Sequence, residues 1–259
     1  MKINVLVDDF IDEKEHGLSI YIEASGKKIL FDTAQTNNFL VKMEKLEIRE
    51  EELDLVVISH GHYDHGNGLR YLSKDIPIFL HEDAIKPKYK NKDGIYYFNG
   101  ISNDAINVNR RNFNLIKADQ EIASNIFVLA NIKTDKKNEN FFLDVKKNIF
   151  DDFHDEIILA IQENNDLTLF LGCSHFGIVE GIRKAKECFP HLRIKNVVAG
   201  MHLLNDSEKE ILKIIDQLKL LGVFNVIPLH CTGELAAELF LEEFGENCIL
   251  ISSSESIYI

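Results

Sequence analysis

Ser59-His60-Gly61-His62-Tyr63-Asp64-His65-Gly66 sets three imidazoles and a carboxylate within six positions. The run that leads into it, LDLVVIS over 53–59, is nearly unbroken in apolar residues, as in a strand covered on both faces. A metal explains so many donors at the end of a buried strand. Imidazole and carboxylate suit zinc, iron or manganese, and a tight turn can splay alternate side chains towards two adjacent ions. His60 and His62 can face one ion, and Asp64 and His65 its neighbour, while Gly61, Gly66 and Gly68 let the backbone bend round them. A polar surface turn would account for one or two of the histidines, not for the whole set placed directly after an apolar strand.

Outward from the motif, apolar runs and turn signals alternate. Residues 2–7, 18–23 and 27–31 read as strands, and 37–46 as a helix capped by Asn37. A short helix near 66–73 precedes a strand at 76–80. From about Glu82 to Asn125 the chain turns to Lys, Asn and aromatics with weak periodicity, which predicts an insertion of hairpins and loops, either a lid or a solvated excursion. The last third is clear α/β: strands at 167–171, 194–199 and 224–229 lead into helices at 177–188, 206–221 and 233–244. A histidine stands at or just beyond the end of each strand: His175, His202 and His230. Sites in α/β sheets collect at the carboxyl ends of strands, so this repeated placement marks a site.

A chain of 259 residues with 45% hydrophobic content can build one substantial core, and residues 1–259 read as one domain carrying the insertion at 82–125. No stretch approaches the roughly 18 uninterrupted apolar residues of a membrane span. The start, MKINVLVDDF, does not read as a signal peptide, so the expected location is cytoplasmic. Cys173, Cys188, Cys231 and Cys248 form no CxxC pair, which argues against a disulfide framework or a cysteine-type zinc site. A net charge of −13 argues against nucleic-acid and membrane partners. It leaves room for a small-molecule substrate, a phosphorylated one included, because a bivalent centre inverts the local potential.

HGHYDHGNG at 60–68 resembles the HxHxDH signature of the metallo-β-lactamase superfamily without a substitution. Phe31-Asp32-Thr33 resembles the segment carrying the first superfamily Asp, which supports the metal loop by hydrogen bonding. More narrowly, the chain is similar to the group of 7,8-dihydropterin-6-methyl-4-(β-D-ribofuranosyl)aminobenzene-5'-phosphate synthase-like proteins. The likeness runs through HGLS (16–19), LFDT (30–33), SHGHYDHGNGL (59–69), Asp155-Glu156, GCSHFGIV (172–179), GMHL (200–203) and HCTG (230–233). It implies an α/β (α+β) fold, a four-layer αββα sandwich, with one or two divalent ions at one edge of the sheets, zinc foremost and iron or manganese as alternatives. It also implies that His60, His62 and a third histidine hold one ion, and Asp64, His65 and His230 the other.

One departure stands out. The bridging Asp expected after the strand ending at Leu171 is absent, and Gly-Cys-Ser-His stands in its place. His175 is the favoured substitute, since imidazole suits any of these metals, whereas a Cys173 thiolate would favour zinc. Cys173 reads more simply as a small buried residue at a strand end. His202 reads as a substrate-facing acid or donor, as a ligand of an altered site, or as a packed histidine. His16 meets substrate at the rim or is an ordinary loop histidine. Asp155-Glu156, Glu156 in particular, offers a carboxylate to a ligand imidazole or forms an exposed acidic turn. Lys86, Lys88, Lys90 and Arg110-Arg111 are candidates to clamp a phosphate, although most such charges are simply solvated. His81, His154 and His191 lack supporting neighbours in the sequence.

The expected function is metal-assisted hydrolysis of an ester, amide or phosphate by a metal-bound hydroxide, with Asp64 orienting that hydroxide and taking its proton. The second ion or His202 would stabilise the leaving group. Three alternatives stay open. The group's name implies a transferase coupling a dihydropterin pyrophosphate to an aminobenzene ribotide. The same fold also accommodates a di-iron redox protein and a non-catalytic metal-binding module.

Overall fold

The computed structural model describes residues 1–10, 16–73, 75–136, 139–251 and 256–259. The chain opens with a meander of β1 (Lys2–Asp8), β2 (Leu18–Ala24) and β3 (Lys27–Phe31). Helix α1 (Asn38–Lys45) leads to β4 (Leu55–Val57), the one-turn α2 (Tyr63–Gly66) and β5 (Ile78–His81). Next come hairpin β6 (Tyr89–Lys92) and β7 (Ile95–Phe98), helix α3 (Asn103–Asn109), and strands β8 (Phe113–Ile116), β9 (Gln120–Ala123) and β10 (Ile126–Leu129). Strands β11 (Phe141–Asp144), β12 (Ile149–Phe150), β13 (Ile158–Glu163) and β14 (Asp166–Leu171) follow. The last third alternates α4 (Ile178–Cys188), β15 (Arg193–Gly200), α5 (Glu208–Leu220), β16 (Asn225–Leu229) and α6 (Glu234–Phe244) before the closing β17 (Ser256–Tyr258).

Among the described residues these strands form a seven-stranded sheet, β17-β1-β2-β3-β4-β5-β8, a six-stranded sheet, β16-β15-β14-β13-β10-β9, and a four-stranded one, β12-β11-β6-β7. Period-two alternation sends Ile20, Ile22, Ile29 and Phe31 of the first sheet against Leu159, Ile161, Phe170 and Val198 of the second. Each such burial is worth about 1.5–3 kcal/mol relative to exposure. The opposite faces are also apolar. Leu30 and Val56 pack on Phe39 and Met43 of α1, while Leu169 and Val197 pack on Ile182, Ile211 and Phe240 of the C-terminal helices. The result is a four-layer αββα sandwich, the fold that the resemblance implies.

The stretch from Glu82 to Asn125 divides among three sheets. Its hairpin β6–β7 pairs with β11 in the small sheet, β8 extends the first main sheet and β9 lies at the edge of the second. Weak periodicity there has a physical cause: these are four-residue strands with largely exposed side chains, and the single buried stripe of a central strand is missing.

Candidate metal centre

Strands β14, β15 and β16 run parallel and in register, Leu171 beside Ala199 and Gly200 beside Leu229, so their carboxyl ends lie side by side. The loops that leave them carry His175, His202 and His230. From the other sheet, β1 delivers Asp8 and Asp9, β3 delivers Asp32, and β4 delivers the His60–His65 loop. Four non-glycine residues here adopt left-handed backbone: Asp32 (φ 57°), Ser174 (56°), His202 (51°) and His230 (50°). Such conformations cost about 1–3 kcal/mol each and persist where neighbours over-determine them. The His230 N–H, for example, donates to Asp8 Oδ1 at 2.8 Å.

His60, His62 and His175 bring one donor atom each to within 4.8 Å of one another, and all three rings are buried. Burial first, then the neighbouring rings, holds His60 and His175 well below the usual imidazole range; burial pushes His62 down to about 3. All three are therefore neutral, with lone pairs to offer. Nε2 of His62 and both ring nitrogens of His175 find no hydrogen-bond partner among the described residues. A buried polar atom left without a partner is costly, and a cation is the species such a donor set fits.

Asp64, His65 and His230 form a second group meeting the same 4.8 Å limit. Oδ2 of Asp64 stands 3.7 Å from His230 Nε2, 3.9 Å from His65 Nε2 and 3.5 Å from His16 Nε2. Burial pushes the Asp64 carboxyl up, but His65, His230, His62 and His16 outweigh it, so the group is held below its ordinary value as a carboxylate. The His175 ring packs at 5.1 Å from His60 and 4.9 Å from His62. The Cys173 sulfur meets the second group, 3.2 Å from His65 Nε2. His60, His65 and Cys173 also bring their donors within 4.8 Å, as do Cys173, His202 and Cys231.

The supports are carboxylates. Asp32, fully buried, accepts at Oδ1 from the Ser59 N–H at 2.7 Å, and Oδ2 lies 2.7 Å from both Ser59 Oγ and His65 Nδ1. That leaves His65 Nε2 facing the centre. Asp155 Oδ2 accepts from the Gly61 N–H at 2.7 Å. Glu156 accepts from the Cys173 and His175 N–H groups at 3.1 and 2.6 Å. Burial, then the Asp155 charge, pushes Glu156 up to about 8. Asp155 and Glu156 thus hold main chain, not imidazole, and both are buried, which removes the reading as an exposed acidic turn. Gly172 has no room for a side chain: a Cβ would lie 2.2 Å from Ser59 Oγ.

A cavity of about 620 Å³ opens over this centre. His16, Asp64, His202 and Lys90 line it, together with the apolar Phe10, Phe141, Leu204 and Leu235. His16 is half-exposed and hydrogen-bonded through Nδ1 to Asp9 at 2.7 Å. Asp9 also meets His230 Nδ1, at 2.5 Å, and so spans two of the predicted histidines. Sequence reading passed Asp9 over, although it stands at a strand's carboxyl end as the histidines do. Lys88 is corrected: fully buried, it binds Asp151 and Asp155 at 2.6 and 2.8 Å and cannot meet substrate. Lys86 pairs with Asp83 at 2.7 Å, Arg110 is exposed, and the side chain of Arg111 lies outside the described residues.

A family model described as the metallo-beta-lactamase superfamily matches residues 13–111. The chain is similar to the 7,8-dihydropterin-6-methyl-4-(beta-D-ribofuranosyl)-aminobenzene-5'-phosphate synthase of Methanocaldococcus jannaschii, at 31% identity over 95% of this chain and 92% of that protein. It is also similar to Tm1679, a metal-dependent hydrolase of the beta-lactamase superfamily. The two are 34% identical, with a TM-score of 0.87 over 100% of this chain and 99% of the other. An isothiocyanate hydrolase from Delia radicum gut bacteria shares the fold, with a TM-score of 0.63 at 16% identity, over 100% of this chain and 99% of its own.

Proposed function

Because this enzyme belongs to the metallo-β-lactamase superfamily, we propose that it is a metal-dependent hydrolase of a small ester, amide or phosphate. The observation that carries the reading is the set of three buried, neutral imidazoles, His60, His62 and His175, with unpartnered nitrogens at the floor of an open cavity. In this reading those three hold one ion, and Asp64, His65 and His230 hold a second, with Cys173 in the place of the missing bridging carboxylate. A divalent ion there, zinc foremost and iron or manganese as alternatives, supplies Lewis acidity and lowers the pKa of water.

The chain's own groups supply the rest. Asp64, ionised and facing the cavity, orients the attacking water and accepts its proton. His202, across the cavity, donates to the leaving group. His16, hydrogen-bonded to Asp9 at the rim, contacts the substrate. Asp32 and Glu156 fix the loops that present these groups. Phe10, Phe141, Leu204 and Leu235 favour a substrate with an apolar body, and Lys90 favours an anionic group such as a phosphate. His62→Ala is expected to lower bound metal and abolish turnover of a generic phosphodiester or ester. Wild-type turnover in that variant after chelation would sink the proposal.

A second reading, favoured by the name of the synthase relative, is a transferase joining a dihydropterin pyrophosphate to an aminobenzene ribotide. Incubation with both partners and mass analysis of the products separates coupling from hydrolysis.

A further inference from the structure

We propose that His81, Asp83 and His154 form a second transition-metal site, of the zinc class, that shares no residue with the centre above. His81 is the last residue of β5 and is 1% exposed. Its Nε2 is buried without a hydrogen-bond partner among the described residues. Asp83 follows in the next turn, and its Oδ2 stands 3.5 Å from His154 Nδ1. The His154 ring meets that of His81 edge-on at 5.0 Å. One donor atom from each of the three residues lies within 4.8 Å of the others.

Two imidazoles and a carboxylate are a zinc-class donor set, with the fourth position left to water. Donors in a tetrahedral zinc site stand about 3.3 Å apart, so closure asks for an inward shift of about 1–2 Å. His154 can supply it by rotation, since half of its side chain is exposed. Lys86 occupies Asp83 Oδ1 at 2.7 Å and leaves Oδ2 for the ion. Ligation through His81 Nε2 requires that nitrogen to give up its proton. It passes to Nδ1, which then releases its 3.2 Å bond from the Asp83 N–H.

The site ties together two segments that also support the His60–His65 loop. The turn carrying Asp83 packs on Gly61 so closely that a Cβ there would lie 2.2 Å from the Ala84 carbonyl oxygen. The residue after His154 is Asp155, which holds the Gly61 N–H. An ion bound here therefore clips the outer wall of the loop that presents His60 and His62.

The test is Zn²⁺ titration of chelator-stripped protein, followed by desalting and elemental analysis, on wild type, His154→Ala and Asp83→Asn. Each variant is expected to carry one zinc fewer per chain than wild type. Lys86→Ala, which removes a competing cation, is expected to tighten the weaker zinc-binding step. His154 is half-exposed, so its replacement leaves folding intact and decides the matter if Asp83→Asn does not fold. A His154→Ala protein with the full wild-type zinc complement overturns the site.

Discussion

The sulfur of Cys173 lies 3.2 Å from Nε2 of His65, between the group that contains His60 and the group that contains Asp64. Glu156 holds the Cys173 N–H, so the thiol is positioned from its own backbone. Burial pushes the Cys173 thiol up; Cys231, although also buried, is pulled down by Cys173, His202 and His230. In the proposed centre this thiol would be a sulfur donor where the superfamily resemblance leads one to expect an aspartate. Cobalt-loaded protein is expected to show a near-ultraviolet sulfur-to-metal band that disappears in Cys173→Ser and survives in Cys231→Ser. An unchanged band in Cys173→Ser would exclude the sulfur as a donor.

Asp32 acts through His65. Its two oxygens contact the Ser59 N–H, Ser59 Oγ and His65 Nδ1, all at 2.7 Å and all buried. Removing a carboxylate that orients a ligand imidazole lowers metal affinity about 10–100-fold. Asp32→Asn is expected to do so in a chelator-competition assay, because the amide keeps the volume but cannot accept at both positions. Asp32→Ala, which strands the Ser59 donors as well, is expected to lower the urea midpoint in addition.

Lys88 is a structural cation. Burial works against its charge, but Asp155 and Asp151 outweigh burial and raise its pKa above the ordinary lysine value. Lys88→Met leaves two carboxylates buried without their cation, a kind of loss that costs about 3–5 kcal/mol. Denaturant unfolding is expected to show a destabilisation of that order. The combined Lys88→Met, Asp151→Asn variant should recover part of it, since one of the stranded charges is gone.

The fold and the ligand loop were legible because their signals are local. The apolar run into Ser59, the donor spacing from His60 to His65 and the strand-terminal histidines each lie within a few residues. What escaped depends on contacts between distant segments. Asp9 gains its place only when the segment after β1, in one sheet, meets His230 after β16, in the other, more than two hundred residues along the chain. Lys88 read as a surface charge because nothing near it in sequence reveals Asp151 and Asp155. Asp155 and Glu156 were noticed as carboxylates, but their bonds run to backbone N–H groups, which no residue pattern displays. The different surroundings of Cys173 and His175 were equally hidden, since only the folded chain, with its left-handed Ser174, sets the sulfur against His65 and the imidazole against His62.

Metal loading offers the broadest prediction. In the folded chain His60, His62 and His175 are neutral and gathered within 4.8 Å; in the unfolded chain they are dispersed. An ion that binds the folded state alone stabilises it by about 2.7 kcal/mol when its free concentration is a hundred times its Kd. For a chain of this size that corresponds to a rise in Tm of roughly 5–10 °C. Chelator-stripped protein titrated with zinc in a calorimeter is therefore expected to melt progressively higher, and His175→Ala to lose most of that rise. His175 is the more telling variant than His62, because its ring already stacks on Phe153 at 4.1 Å and both its nitrogens are unpartnered. An alanine there removes a donor without changing a residue of the His60–His65 loop, on whose His60 and His62 rings His175 packs. A Tm in wild type that does not respond to zinc would count against a metal at this position.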